Sequence, residues 1–151
     1  MKTLAGIILL SMCMLVSVFG EQGEYYATET EASVRFVELE IYIDSGDQSL
    51  GAFQFELRTT RGNVKIVGVE NGEHKAYKDA PYYDAAALAN NRIKIAAFNT
   101  SGDLPSGKSR VATLHLMITG SVKPEYKLDL TVSANADAEE IAAEISYEKG
   151  E

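Results

Sequence analysis

The chain has 151 residues, 14 Lys and Arg against 22 Asp and Glu, and a formal net charge of −8. That balance repels polyphosphate, and no basic block with interleaved aromatics offsets it, so nucleic acid is not the expected partner. Cys13 is the single cysteine, which excludes an internal disulfide and a Cys-based metal site; a chain of this length instead builds one domain around a buried core.

Residues 1–20 read as a leader. Lys2 precedes the apolar run Leu4 to Phe19, and Val18-Phe19-Gly20 closes it. A positive start, a short apolar core and a small residue at the cut describe a cleavable secretory signal, with Glu21 first in the mature chain. The run is too short for a membrane span, so no membrane association is expected after cleavage. Met12 stands where lipoprotein processing wants a small residue ahead of Cys13. Trimming removes Cys13 and Lys2, leaving a secreted, extracytoplasmic chain with no thiol and one more unit of negative charge. Residues 21–33 form a polar lead-in whose only large apolar groups are Tyr25 and Tyr26, read as frayed or docking on the domain.

Residues 34–148 carry the fold. The first strand is expected at Val34 to Ile43, with Val37, Leu39, Ile41 and Ile43 on one face. Asp44 to Ser49 follows as a turn, because Asp and Ser bond their own backbone and Gly46 accepts positive φ. Its aspartates lack the ligand series and distal Glu of a calcium loop. Leu50 to Arg58 alternates strictly: Phe53, Phe55 and Leu57 point one way, Gln54, Glu56 and Arg58 the other. Val64 to Glu70 is a short β-branched strand ended by Asn71-Gly72. Glu73 to Asn91 reads as the longest irregular stretch, with one helical turn at Ala85 to Ala89, and a loop of that length usually has a role. It gathers Tyr77, Tyr82 and Tyr83 around Pro81. Either the three present a contact surface, or two fold back and cover the sandwich edge.

Arg92 to Phe98 alternates again, with Lys94 outward. Asn99 to Ser109 is a Gly/Ser/Pro loop, and a strand runs from Lys108 or Ser109 to Thr119. Tyr126 to Val132 is the next strand, and the last is expected from about Ala142 to Glu148 after a turn or single helical turn. Short strands divided by Gly, Pro and Asn turns, with no βαβ rhythm, predict an antiparallel β-sandwich.

Motifs for catalysis are weak. Gly102 to Ser109 spells the phosphate loop G-x-x-x-x-G-K-S, but that loop needs a following helix, and Arg110 to Thr119 alternates as a strand. His74 and His115 are far apart in the chain, His115 on the outward side of its strand as a solvated histidine, and no serine lies in a G-x-S-x-G elbow. No catalytic residue, metal ligand or cofactor is assigned. Asn99-Thr100-Ser101 is a glycosylation sequon in a loop, expected to be exposed.

Three segments in order, Val37 to Ile43, Leu50 to Leu57 and Val64 to Glu70, then Arg92 to Asn99, Pro105-Ser106-Gly107 and Val111 to Leu114, resemble the cohesin pattern. The likeness runs from about Val34 to Tyr147. It implies a jelly-roll sandwich of about nine strands, related to certain carbohydrate-binding modules. It also implies a function in recognition, since cohesins hold dockerin modules through an exposed sheet face. The expectation is a monomeric, non-catalytic binding module. Its partner is an extracellular protein, dockerin-like or otherwise, met through Gln54, Glu56, Arg58, Lys94 and the tyrosines Tyr77, Tyr82 and Tyr83. A polysaccharide bound by the tyrosine loop, or a structural role in a surface appendage, are the alternatives.

Overall fold

The computed structural model describes residues 33–150; the expected leader and all of the lead-in but Ser33, with Cys13, Tyr25 and Tyr26, lie outside the described residues. Among the described residues eight strands form: β1 (Val34–Asp44), β2 (Ala52–Arg61), β3 (Asn63–Glu70), β4 (Tyr82–Tyr83), β5 (Arg92–Phe98), β6 (Lys108–Thr119), β7 (Glu125–Ala134) and β8 (Glu144–Lys149). They make two four-stranded sheets, ordered β3-β6-β1-β8 and β4-β5-β2-β7. All pairings are antiparallel. The all-β expectation holds.

The strand pairs are nested. β1 lies beside β8, β2 beside β7, β3 beside β6 and β4 beside β5, while β1–β6 and β2–β5 join these ribbons into sheets. Alternation along each strand sends one set of side chains between the sheets. Leu39, Ile41 and Ile43 of β1, Ile66 of β3 and Leu114 and Leu116 of β6 meet Phe53, Phe55 and Leu57 of β2 and Ile93 and Ile95 of β5. Each such burial stabilises by about 1.5–3 kcal/mol relative to exposure. The opposite residues of the same strands face outward, which gives the molecule two broad sheet surfaces.

The turns follow their chemistry. At Asp44 to Ser49 the Gly46 amide donates to Asp44 Oδ1 at 3.0 Å and Ser45 Oγ to the Gln48 carbonyl at 2.7 Å. Gly46 has φ +58°, a conformation that favours glycine. Gly51 answers a different need: its amide bonds the Ala134 carbonyl, and a Cβ there would sit 2.6 Å from the Asn135 backbone. The residues after the loop at Gly102 to Ser109 are β6, a strand without the helix a phosphate loop requires.

Several boundaries move: β2 runs from Ala52 to Arg61 where Leu50 to Arg58 was expected, and β7 from Glu125 to Ala134 in place of Tyr126 to Val132. β8 starts two residues after the expected Ala142, because Ile141 stays in the core and bonds Ser133 before the strand begins. β4 arises inside the stretch read as irregular, where Tyr82 and Tyr83 pair with Ala96 and Ile95. Two residues are too few to show a period. The same stretch holds short 3-10 turns at Lys75–Tyr77 and Ala85–Ala87, the latter shorter than the expected Ala85 to Ala89.

Candidate functional site

The outward face of the β4-β5-β2-β7 sheet collects most of the residues singled out from the sequence. The register sets them in rows. Tyr82, Ala96, Gln54 and Val132 stand side by side; Phe98 and Ala52 form the row on one side, and Lys94, Glu56 and Asp129 the row on the other, followed by Arg92, Arg58 and Lys127. One end of the face is therefore aromatic and apolar, the other charged.

At the aromatic end Tyr82 is 68% and Phe98 67% exposed, with ring centroids 6.0 Å apart and planes within 10°. Two such rings left to water on a folded surface are unusual, and their apolar area is available for contact. At the centre Gln54 is fixed to β7 twice over: its Nε2 donates to Thr131 Oγ1 at 3.0 Å, and Thr131 Oγ1 donates to the Gln54 carbonyl at 3.0 Å. A register shift between Gln54 and Phe55 brings Thr131 into reach.

At the charged end Arg92 Nη2 donates to Glu56 Oε2 at 2.6 Å, and Lys94 Nζ lies 4.0 Å from the same oxygen. The Arg92 hydrogen bond, opposed by partial desolvation, holds the Glu56 carboxyl below its ordinary range. Arg58 is exposed between Arg92 and Lys127 in the register. Four cations (Arg58, Arg92, Lys94, Lys127) share this face with two carboxylates (Glu56, Asp129), an excess of positive charge on an acidic chain. A face of this kind offers apolar contact beside fixed charge, with a hollow of about 200 Å³ at its aromatic end between Tyr82, Phe98 and Pro81.

The tyrosine group does not act as one. Tyr82 joins the exposed face, whereas Tyr83 turns inward and packs against the core. Tyr77, named among the partner-contact residues, is a core residue, only 4% exposed, so two of the three tyrosines fold back as the alternative reading had it. The Tyr77 hydroxyl donates to the Leu50 carbonyl at 2.7 Å, and its ring meets Phe53 edge-on at 5.1 Å. The physical reason is that carbonyl: Leu50 is buried just before β2 begins, and a tyrosine brings both an apolar body and a donor. Burial pushes the Tyr77 hydroxyl up to about 12. Phe98 is the residue sequence reasoning passed over. Its signal was present, since it shares the period-two register of Arg92, Lys94 and Ala96.

His115 lies elsewhere, on the outward face of the other sheet. Its Nε2 is 2.9 Å from Glu70 Oε1 and its Nδ1 3.7 Å from Glu38 Oε1, so the ring lies outward as expected, flanked by two carboxylates. His74 Nδ1 accepts the Ala76 amide at 3.2 Å and caps the first 3-10 turn. Among the described residues no group of three His, Cys, Asp or Glu is arranged to hold a metal ion. The sequon asparagine differs from expectation as well: Asn99 is half-buried and its Nδ2, the atom a glycan would take, donates to the Ala76 carbonyl at 2.9 Å. Compared with family models, curated proteins and solved structures, the chain matches none of them.

Proposed function

We propose that this chain is a secreted, non-catalytic binding module of the cohesin-like class, which holds a protein partner through the outward face of the β4-β5-β2-β7 sheet. The observation that carries the reading is the exposed Tyr82–Phe98 pair set beside the Gln54, Glu56, Arg58 and Lys94 array. Aromatic residues and arginine dominate the energetics of protein interfaces, and here both stand on rigid strands. The nested pairing β1–β8, β2–β7, β3–β6, β4–β5 supports jelly-roll connectivity, the architecture that the cohesin resemblance implies. Secretion rests on the leader read at residues 1–20.

The test is capture of a partner from the producing cell's secretome on immobilised protein, compared with a Tyr82→Ala/Phe98→Ala variant and with Glu56→Arg/Arg58→Glu. A partner recovered by the wild type and lost from both variants, each with unchanged thermal unfolding, supports the face. Equal recovery on all three contradicts it.

One observation favours a second reading, carbohydrate binding. The near-parallel Tyr82 and Phe98 rings are both exposed, and an exposed aromatic face is one on which sugar rings stack. Affinity electrophoresis in soluble and insoluble glycans separates the two: retardation abolished by Tyr82→Ala supports the glycan, and unretarded migration throughout leaves the protein partner.

A further inference from the structure

β8 covers only part of β1. It pairs with Leu39 to Asp44, and the Gly150 amide extends the ladder to the Glu38 carbonyl at 3.1 Å. Val34 to Val37 are paired with β6 on one side. On the other, among the described residues, they have no strand. Peptide groups alternate in direction along a strand. The Ser33 carbonyl accepts from Gly120 on the β6 side, while that of Glu38 turns to Gly150 on the β8 side. By that alternation the peptide groups of Val34 and Phe36 face the open edge.

An edge that no strand covers among the described residues is a template for another strand. Here the sheet also provides a hollow on each of its faces. The inner one, about 210 Å³, opens between the sheets against Val37, Ile118 and Tyr126, and the cations Arg35, Lys123 and Lys149 line it as well. The outer one, about 360 Å³, is lined by Phe36, Glu38 and His115. Phe36 is 69% and Val34 55% exposed. A strand laid along this edge sends successive side chains to opposite faces, and thus alternately into the two hollows.

We propose that this edge binds an extended peptide of another protein by strand addition, in line with β8 and antiparallel to β1. The peptide starts beyond β8, placing an aromatic side chain opposite Phe36 and an acidic one opposite Arg35. Main-chain hydrogen bonds to Val34 and Phe36 hold it, and the alternating hollows select its side chains. The acidic position follows from charge: three cations line the inner hollow of a chain whose net charge is −8. This site lies on the other sheet from the proposed partner face and does not depend on it.

The experiment uses a fluorescein-labelled, C-terminally amidated peptide, Tyr-Asp-Thr-Thr-Thr, titrated against the purified protein by fluorescence anisotropy. The result expected is saturable binding, with slowed amide exchange at Val34 and Phe36. Phe36→Pro removes an N–H that faces only the open edge and weakens binding by about tenfold or more. Arg35→Glu weakens it similarly, and a peptide with Lys in place of Asp restores binding to that variant. The second variant serves where the first alters thermal unfolding. Absence of saturation, equal binding of a scrambled peptide, or failure of the charge exchange to restore binding overturns the proposal.

Discussion

Tyr77 shows how one side chain ties a loop to the core. Removing its hydroxyl leaves the buried Leu50 carbonyl without a donor, so Tyr77→Phe is expected to cost about 1–3 kcal/mol in denaturant unfolding. The same burial sets an alkaline limit. The hydroxyl is raised from 10.0 to about 12. Below pH 10 both folded and unfolded chains keep the proton and the contribution is whole. Above it the unfolded chain loses its proton first, so stability falls as pH rises towards 12. Tyr126, raised by its own burial, adds to the same limb. Stability measured from pH 9 to 12 should decline in the wild type and decline less in Tyr77→Phe. Thr59 offers the opposite case: its Oγ1 is buried and has no hydrogen-bond partner among the described residues. Thr59→Val keeps the shape and removes that group, and is expected to raise stability by about 1 kcal/mol.

At the scale of the element, β2 and β5 each present two unlike faces. Phe55, fully buried on the inner face of β2, is expected to cost about 3–5 kcal/mol as Phe55→Ala. Phe98, on the outer face of β5, should change stability by no more than about 0.5 kcal/mol as Phe98→Ala while weakening the proposed binding. Chemical denaturation of the two variants checks the contrast. These strands were legible because a two-residue period reports directly on a half-buried sheet: Phe53, Phe55 and Leu57 went inward and Gln54, Glu56 and Arg58 outward as read. The same period placed Lys94 correctly and would have placed Phe98. Tyr77 and β4 were not legible, since both depend on contacts made far along the chain. Tyr77 finds Leu50 27 residues earlier, and Tyr82 finds Ala96 across the loop. No local pattern encodes which of three clustered tyrosines meets a stranded carbonyl.

Taken together, the two sheets are electrically unlike. The outward face of the β3-β6-β1-β8 sheet carries Glu38, Glu40, Asp44, Glu70, Glu144 and Glu148 against Lys65, Lys108 and Arg110. The opposite sheet carries the cationic excess around Arg58. An exposed field of this kind acts over about 10 Å at 0.1 M salt. The partner of the β4-β5-β2-β7 face is therefore expected to present acidic groups, and its association rate to fall several-fold as salt rises from low ionic strength to 0.5 M. Stopped-flow mixing at graded salt checks this, and a rate indifferent to salt assigns the contact to the aromatic end alone.

Hydroxyl-radical footprinting, read by mass spectrometry on the free protein and on the captured complex, tests the placement of the recognition face most directly. Tyr82 and Phe98 should oxidise rapidly in the free protein and become protected in the complex, while Tyr77 reacts slowly in both. Oxidation of Tyr77 as fast as that of Tyr82, or Tyr82 and Phe98 reacting equally in free and bound protein, would contradict the account.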